Sequence, residues 1–312
     1  MIETVLHILP IFLLIGLGHL LRIRGLFSLN FWADVERLTF YFLFPALLVY
    51  SIGGADIGGL NVMPMASGLI VAALIVAAVI LRFRTQLSEP PLNLDGPAFC
   101  SVFQGVTRPN TYLGLAAAFA LFGDAGLALM AVSVVAIIPL VNVLAVVVHQ
   151  RWASAPATAT QSWPGIALQA LKNPVIGACL IGAALNITNL GLPPVVGPVL
   201  GILGKGALPL GLMAVGAGLD FRTLSQNHRL LGMISGIKLI VLPAVTWSVL
   251  VMLGVEGMSM TLALIFAALP VSATSYVMSR QMGGDGPLMA GIVTATTAGS
   301  LITLPVIISA LS

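Results

Sequence analysis

Apolar runs of about 20 residues, separated by charged or Gly/Pro-rich turns, recur along nearly the whole chain. Wound as helix, a run of that length matches the hydrocarbon thickness of a bilayer. The pattern predicts ten spans, at about 4–22, 32–53, 61–82, 97–121, 125–149, 166–188, 194–219, 229–253, 257–281 and 286–310. Because the runs are continuously apolar, where barrel strands would alternate, the expected fold class is an all-α integral membrane protein.

Composition agrees. Of 312 residues 59% are hydrophobic and 7% charged, with a mean hydropathy of +1.09, whereas soluble domains carry about 25% charged residues. Soluble enzymes, nucleic-acid modules and secreted disulfide scaffolds are thereby excluded, and the lipid bilayer is the first expected partner. The net charge of +3, from 13 basic and 10 acidic residues, is too scattered to bind nucleic acid. Cys100 and Cys179 lie inside apolar runs and read as packing residues, so no disulfide, metal or cofactor is expected. Arg22 and Arg24 follow the first apolar run instead of preceding it, which makes that run a spanning helix and not a signal peptide.

The cations set the orientation. Arg22 and Arg24, Arg82 and Arg84, Arg151 and Lys172, Arg222 and Arg229, and Arg280 all fall in connections on one side, while those near Asp56, Asp124, Asn189 and Glu256 have no Lys or Arg. The positive-inside rule then puts both termini outside the cytoplasm and the polar segment 150–164 inside it as a linker.

That linker separates two similar halves, 1–149 and 165–312. An offset of 164 residues aligns Pro10 with Pro174, Gly18 with Gly182, Pro45 with Pro209, Gly54 with Gly218, Asp56 with Asp220, Gly68 with Gly232 and Tyr112 with Tyr276. A three-residue deletion then brings Gly123-Asp124 onto Gly284-Asp285. Five spans per half is an odd number, so the second half enters the membrane from the opposite face. The expectation is two inverted five-helix repeats, an arrangement many secondary transporters use.

Spans 4 and 9 are interrupted at equivalent depth. The centre of span 4 reads Gln104-Gly105-Val106-Thr107-Arg108-Pro109-Asn110-Thr111-Tyr112, and that of span 9 Pro270-Val271-Ser272-Ala273-Thr274-Ser275-Tyr276. Proline removes a backbone donor and crowds the preceding turn, which lipid does not tolerate but protein or a wet cavity does. Two such breaks predict helices that cross there, with free N–H groups at a half-helix start suited to an anion. A proline kink with Ser or Thr bonding back to the chain is the competing reading of either span alone. Arg108, Lys205 and Lys238 lie about 15 Å along their spans, and none of the ten acids is as deep. A charge at that depth costs about 2.5–3.5 kcal/mol and is kept only with a partner or a water path. The missing counter-charge suggests an anionic substrate, with Arg108 the first candidate to grip a carboxylate through two parallel donors. Lys205 bonding helix-end carbonyls and Lys238 snorkelling are the alternatives to direct contact. Without a deep acid a carboxylate proton relay is disfavoured, as is sodium coupling, although Gln104, Asn110, Ser272 and Thr274 offer a neutral oxygen set.

With these residues in view the chain resembles the auxin efflux carrier family, the bacterial relatives of the plant PIN carriers. The matching segments are PIFLLIGLGHLLRIRG, ERLTFYFLFPALLVYSI, RPNTYLGLA followed by LFGDAG, ALPLGLMAVGAGLD, KLIVLP and ALPVSATSYV. The resemblance runs from end to end. It implies a fold of the bile-acid symporter or sodium-proton antiporter type, with a scaffold from spans 1, 2, 6 and 7 and a transport domain from spans 3, 4, 5, 8, 9 and 10. It also implies carriage of small organic anions and carries the crossover role onto Pro109, Asn110, Thr111 and Tyr112, and onto Pro270, Ser272, Thr274 and Ser275. The long cytoplasmic loop of the plant members is absent, so their regulation through it does not transfer.

The sequence therefore predicts a non-enzymatic secondary carrier for a small organic anion, multi-pass in a bacterial inner membrane and working by elevator-type alternating access. A homodimer through the scaffold is a further expectation. Its substrate-binding set is Gln104, Arg108, Pro109, Asn110, Thr111, Tyr112, Lys205, Lys238, Pro270, Ser272, Thr274, Ser275 and Tyr276. The alternatives are a sodium- or proton-coupled symporter and a passive channel or sensor on the same fold. An intramembrane hydrolase lacks a mid-depth Asp pair and a His with a Ser partner.

Overall fold

A computed structural model describes residues 2–54, 62–153, 173–188, 190–225 and 227–311. Asp56, Lys172, Asn189, positions 154–164 of the predicted linker and the predicted start of span 6 lie outside the described residues. The helices are α1 (Ile2–Ile23), α2 (Leu29–Gly54), α3 (Val62–Arg82), α4 (Gly96–Thr107), α5 (Thr111–Trp152), α6 (Pro174–Ile187), α7 (Val196–Ala217), α8 (His228–Met252), α9 (Gly257–Ala267), α10 (Thr274–Gln281) and α11 (Gly286–Leu311). A one-turn helix, Arg84–Ser88, and a 3-10 turn, Phe221–Ser225, complete the set, and no strand occurs among the described residues.

Seven helical stretches among the described residues are long and apolar enough to cross a membrane. One of them, Gly96–Trp152, contains the interruption between α4 and α5. It also contains Gly123, whose φ of 58° and ψ of −144° are not helical, so α5 is two helices meeting at that residue. With the shorter apolar helices α6 and α9, this is a multi-pass membrane protein.

Local chemistry accounts for the helix starts. Ser28 Oγ accepts from the Phe31 amide at 3.1 Å, Asp95 Oδ1 from Ala98 at 2.8 Å, Asn173 Oδ1 from Val175 at 3.0 Å and Asp285 Oδ1 from Leu288 at 2.9 Å. Each satisfies an amide that the first turn leaves without a helical partner. Asp124 instead accepts from the Ser51 hydroxyl at 2.9 Å, tying the turn at Gly123 to α2. The π-helical turns Thr39–Leu43 in α2 and Ile237–Val241 in α8 each lie directly before a proline-bearing turn, at Pro45 and Pro243. A missing proline N–H leaves a carbonyl one turn back to find another donor, and a widened turn supplies one.

The chain forms two compact units. The first draws on Met1–Val62, Thr111–Val135 and Trp163–Gly218, and the second on Met63–Asn110, Ala136–Ser162 and Leu219–Ser312. The division runs through α5 and not between whole helices. In the first unit α1 packs on α7, and α2 packs on α6 and α7. Glycine permits the closest approaches: a Cβ on Gly18 would stand 2.0 Å from the Met213 carbonyl oxygen, and one on Gly216 would stand 1.8 Å from that of Ile15. In lipid, where water drives no helix association, this intimacy of packing is a main source of stability. In the second unit α11 is central, packing on α4, α8, α9 and α10. Thr294, Thr296 and Thr297 are buried, and the last two each bond back to a carbonyl one turn earlier. Cys100 and Cys179 are buried free thiols, as packing residues would be.

Candidate functional site

The predicted interruption of span 4 falls at Arg108–Asn110. Helical bonding ends where the Arg108 amide donates to the Gln104 carbonyl at 3.0 Å, Arg108 turns extended with φ −88° and ψ 122°, and α5 starts at Thr111. Span 9 is open over a longer stretch. The Ala268 amide still donates to Leu264 at 3.0 Å, and regular bonding resumes where Ser275 donates to Ser272 at 3.0 Å.

The two openings touch. The Asn110 amide donates to the Pro270 carbonyl at 2.8 Å, joining the segments at the prolines that created them. The Val271 amide donates to Thr296 Oγ1 of α11 at 3.1 Å, and that hydroxyl in turn donates to the Ile292 carbonyl at 2.8 Å. Backbone freed by proline is thus satisfied inside protein, which is the condition for keeping it at membrane depth.

Gln104, Arg108, Pro109, Asn110, Pro270, Ser272, Thr274, Ser275, Tyr276 and Lys238 all belong to the second unit. Gln104 is fully buried, and neither its amide oxygen nor its nitrogen has a hydrogen-bond partner. Ser275 is fully buried with its hydroxyl likewise unpartnered. Ser272 and Thr274 pair through their hydroxyls at 2.9 Å. Arg108 is half-buried, with Nη1 against the Met278 sulfur, and has no acidic partner among the described residues. Tyr276 is half-buried and takes a long hydrogen bond from Arg280 at 3.4 Å.

Lys238 is 1% exposed, on the π-helical turn of α8. It lines a small pocket together with Thr107, Pro109, Ile137, Thr246 and Phe266. Among the described residues it has neither a hydrogen bond nor an ion pair. Thr246, Thr107 and Phe266 were not legible as site residues. A partial signal exists in Lys238, Leu242 and Thr246, which recur every fourth residue and so share a helix face. Nothing in the sequence marks Thr296 as the support of the second opening.

Three predicted residues fall in the first unit. Thr111 and Tyr112 belong to the first unit, where the Tyr112 ring stacks on Phe44 with centroids 4.6 Å apart and planes 5° from parallel. Lys205 also belongs to the first unit, and its side chain is exposed. Asp285 caps α11 and Asp220 accepts from the Arg222 amide at 3.1 Å. His149 is buried and donates from Nδ1 to the Ala145 carbonyl at 2.7 Å, a structural role. Among the described residues no group of three metal-ligating side chains occurs.

Comparison with known proteins adds two findings. The profile of the membrane transport protein family matches residues 4–308. An uncharacterized transporter of Methanothermobacter thermautotrophicus is 22% identical over 305 residues, which cover 97% of this chain and 96% of the relative.

Proposed function

The chain belongs to the membrane transport protein family, the family of the auxin efflux carriers its motifs resemble, and from that premise we propose that it is a secondary carrier for a small organic anion bound where its two opened spans meet. One observation carries the reading: the Asn110–Pro270 bond joins the openings in the unit that also holds two deep cations, Arg108 and Lys238, with no acid to neutralise them among the described residues. A carboxylate supplies that charge, and the unpartnered Gln104 amide and Ser275 hydroxyl supply hydrogen bonds to it.

In this reading the chain crosses the inner membrane ten times as two inverted repeats, with both termini outside the cytoplasm. The offset that aligns the halves also aligns the openings. Packing is alike at the level of helices: Gly18 of α1 lies against Met213 of α7, and Gly182 of α6 lies against Ile52 of α2. Elevator-type access follows, with α3, α4, α5, α8, α9, α10 and α11 moving past a scaffold of α1, α2, α6 and α7 that also forms the homodimer contact. The carrier does no covalent chemistry.

Counterflow in liposomes tests this. Purified protein preloaded with malonate, succinate, acetate or benzoate is expected to accelerate labelled uptake of the matching anion, without sodium. Uptake that follows only the net gradient points to a channel, and a strict sodium requirement contradicts the absence of deep acids.

A further inference from the structure

Lys238 and Arg108 are not equivalent cations. Arginine stays charged at any pH a protein meets, whereas a lysine amine is neutral once its proton leaves. Arg108 is half-buried and lies on a sulfur. Lys238 is 1% exposed and faces a cavity whose other walls are hydroxyls, aliphatic groups and a phenyl ring. A lone ammonium in such surroundings lacks both water and counter-charge, while a neutral amine there is tolerable and an ammonium beside a carboxylate is tolerable.

We propose that Lys238 takes up a proton when the anion binds beside it and gives that proton up when the anion leaves, so that the carrier moves one proton with each anion. The inference rests on the anion site proposed above. The Nζ lone pair forms an N–H bond with a proton drawn from a hydronium ion or buffer acid in the entering water, and on release the same bond breaks to water on the other side. A monocarboxylate then crosses with no net charge.

Among the described residues the charged group nearest in the chain to the pocket lining is Arg108, between Thr107 and Pro109, and no titratable side chain but Lys238 lines it. α9 and α11 carry none, and α3 carries Arg82 at its end. α4 carries Cys100, whose thiol is turned to the Val148 carbonyl. The part of α5 in this unit carries His149 and Arg151, about 18 Å beyond the lining residue Ile137 at 1.5 Å per residue. α8 itself has His228 and Arg229 in its first turn, more than two turns from Lys238.

The test is calorimetric titration of the purified full chain with acetate, malonate, succinate and benzoate, in buffers of differing ionisation enthalpy, which counts protons taken up per anion bound. Wild-type protein is expected to take up one, and its affinity to weaken about tenfold per pH unit wherever the empty site is neutral, by linkage. Lys238→Arg, permanently charged, is expected to bind without uptake, and Lys238→Met to lose binding at least tenfold. Binding by the wild type without proton uptake, or unchanged uptake in Lys238→Arg, overturns the inference and leaves the carrier reading standing. Failure of all four anions to bind at any pH removes the anion site, and this inference with it. If Lys238→Met does not fold, the wild-type proton count decides alone.

Discussion

The two openings are built to the same plan from different parts. The one in span 4 is brief and carries a cation, Arg108; the one in span 9 is longer and carries hydroxyls on Ser272, Thr274 and Ser275. They differ in support as well. The Asn110 amide of the first rests on a backbone carbonyl, while the Val271 amide of the second rests on the Thr296 side chain. Proline thus opens each span, while the side chains around the openings diverge in chemistry. The cation stands on one side, and more of the hydroxyls on the other.

The largest effect should come from the charged side. Arg108→Ala removes a charge-assisted contact worth about 1.5–3 kcal/mol, so uptake should fall about 10- to 100-fold with no loss of folded protein, as read by liposome uptake and size-exclusion elution. Ser272→Ala should cost much less, and equal losses would erase the distinction between the openings. Next is the difference in support. Thr296→Val leaves the Val271 amide buried without an acceptor and should lower stability by about 1–3 kcal/mol in thermal unfolding, with Thr296→Ser recovering most of it. The first opening offers no equivalent side chain to remove.

Gln104→Leu should separate stability from function. Removing an unpartnered buried amide should raise stability by about 1 kcal/mol or more, while anion affinity falls because the amide is kept for the ligand. A drop in melting temperature would show that the amide has a structural partner. The smallest effect is expected at Lys205, exposed in the first unit, where Lys205→Gln should change stability by no more than about 0.5 kcal/mol. Uptake should change less than with Lys238→Met; an equal loss would extend the site into the first unit.

Much of this architecture was legible because it depends on local properties. The spanning runs follow from hydropathy and the openings from proline beside polar residues, whereas the cap at Asn173 falls inside the run predicted as span 6. The turn at Gly123 followed from Gly-Asp at a break in the apolar pattern. The contents of the site were less legible. Lys205 and Lys238 sit in equally apolar surroundings along the chain, yet one is exposed and the other is enclosed. Tyr112, read as a ligand contact, also stacks on Phe44, which no neighbour in the chain announces.

What the sequence determined by itself was therefore where the chain is helical, where it must break and how much charge lies deep in its spans, since each of these is set by residues within a turn or two of one another. The tertiary structure decided which deep cation is enclosed, which hydroxyl supports the second opening and which polar groups are left without partners. Burial and hydrogen bonding join residues far apart in the chain, as with Val271 and Thr296, and a pattern of neighbours carries no record of them.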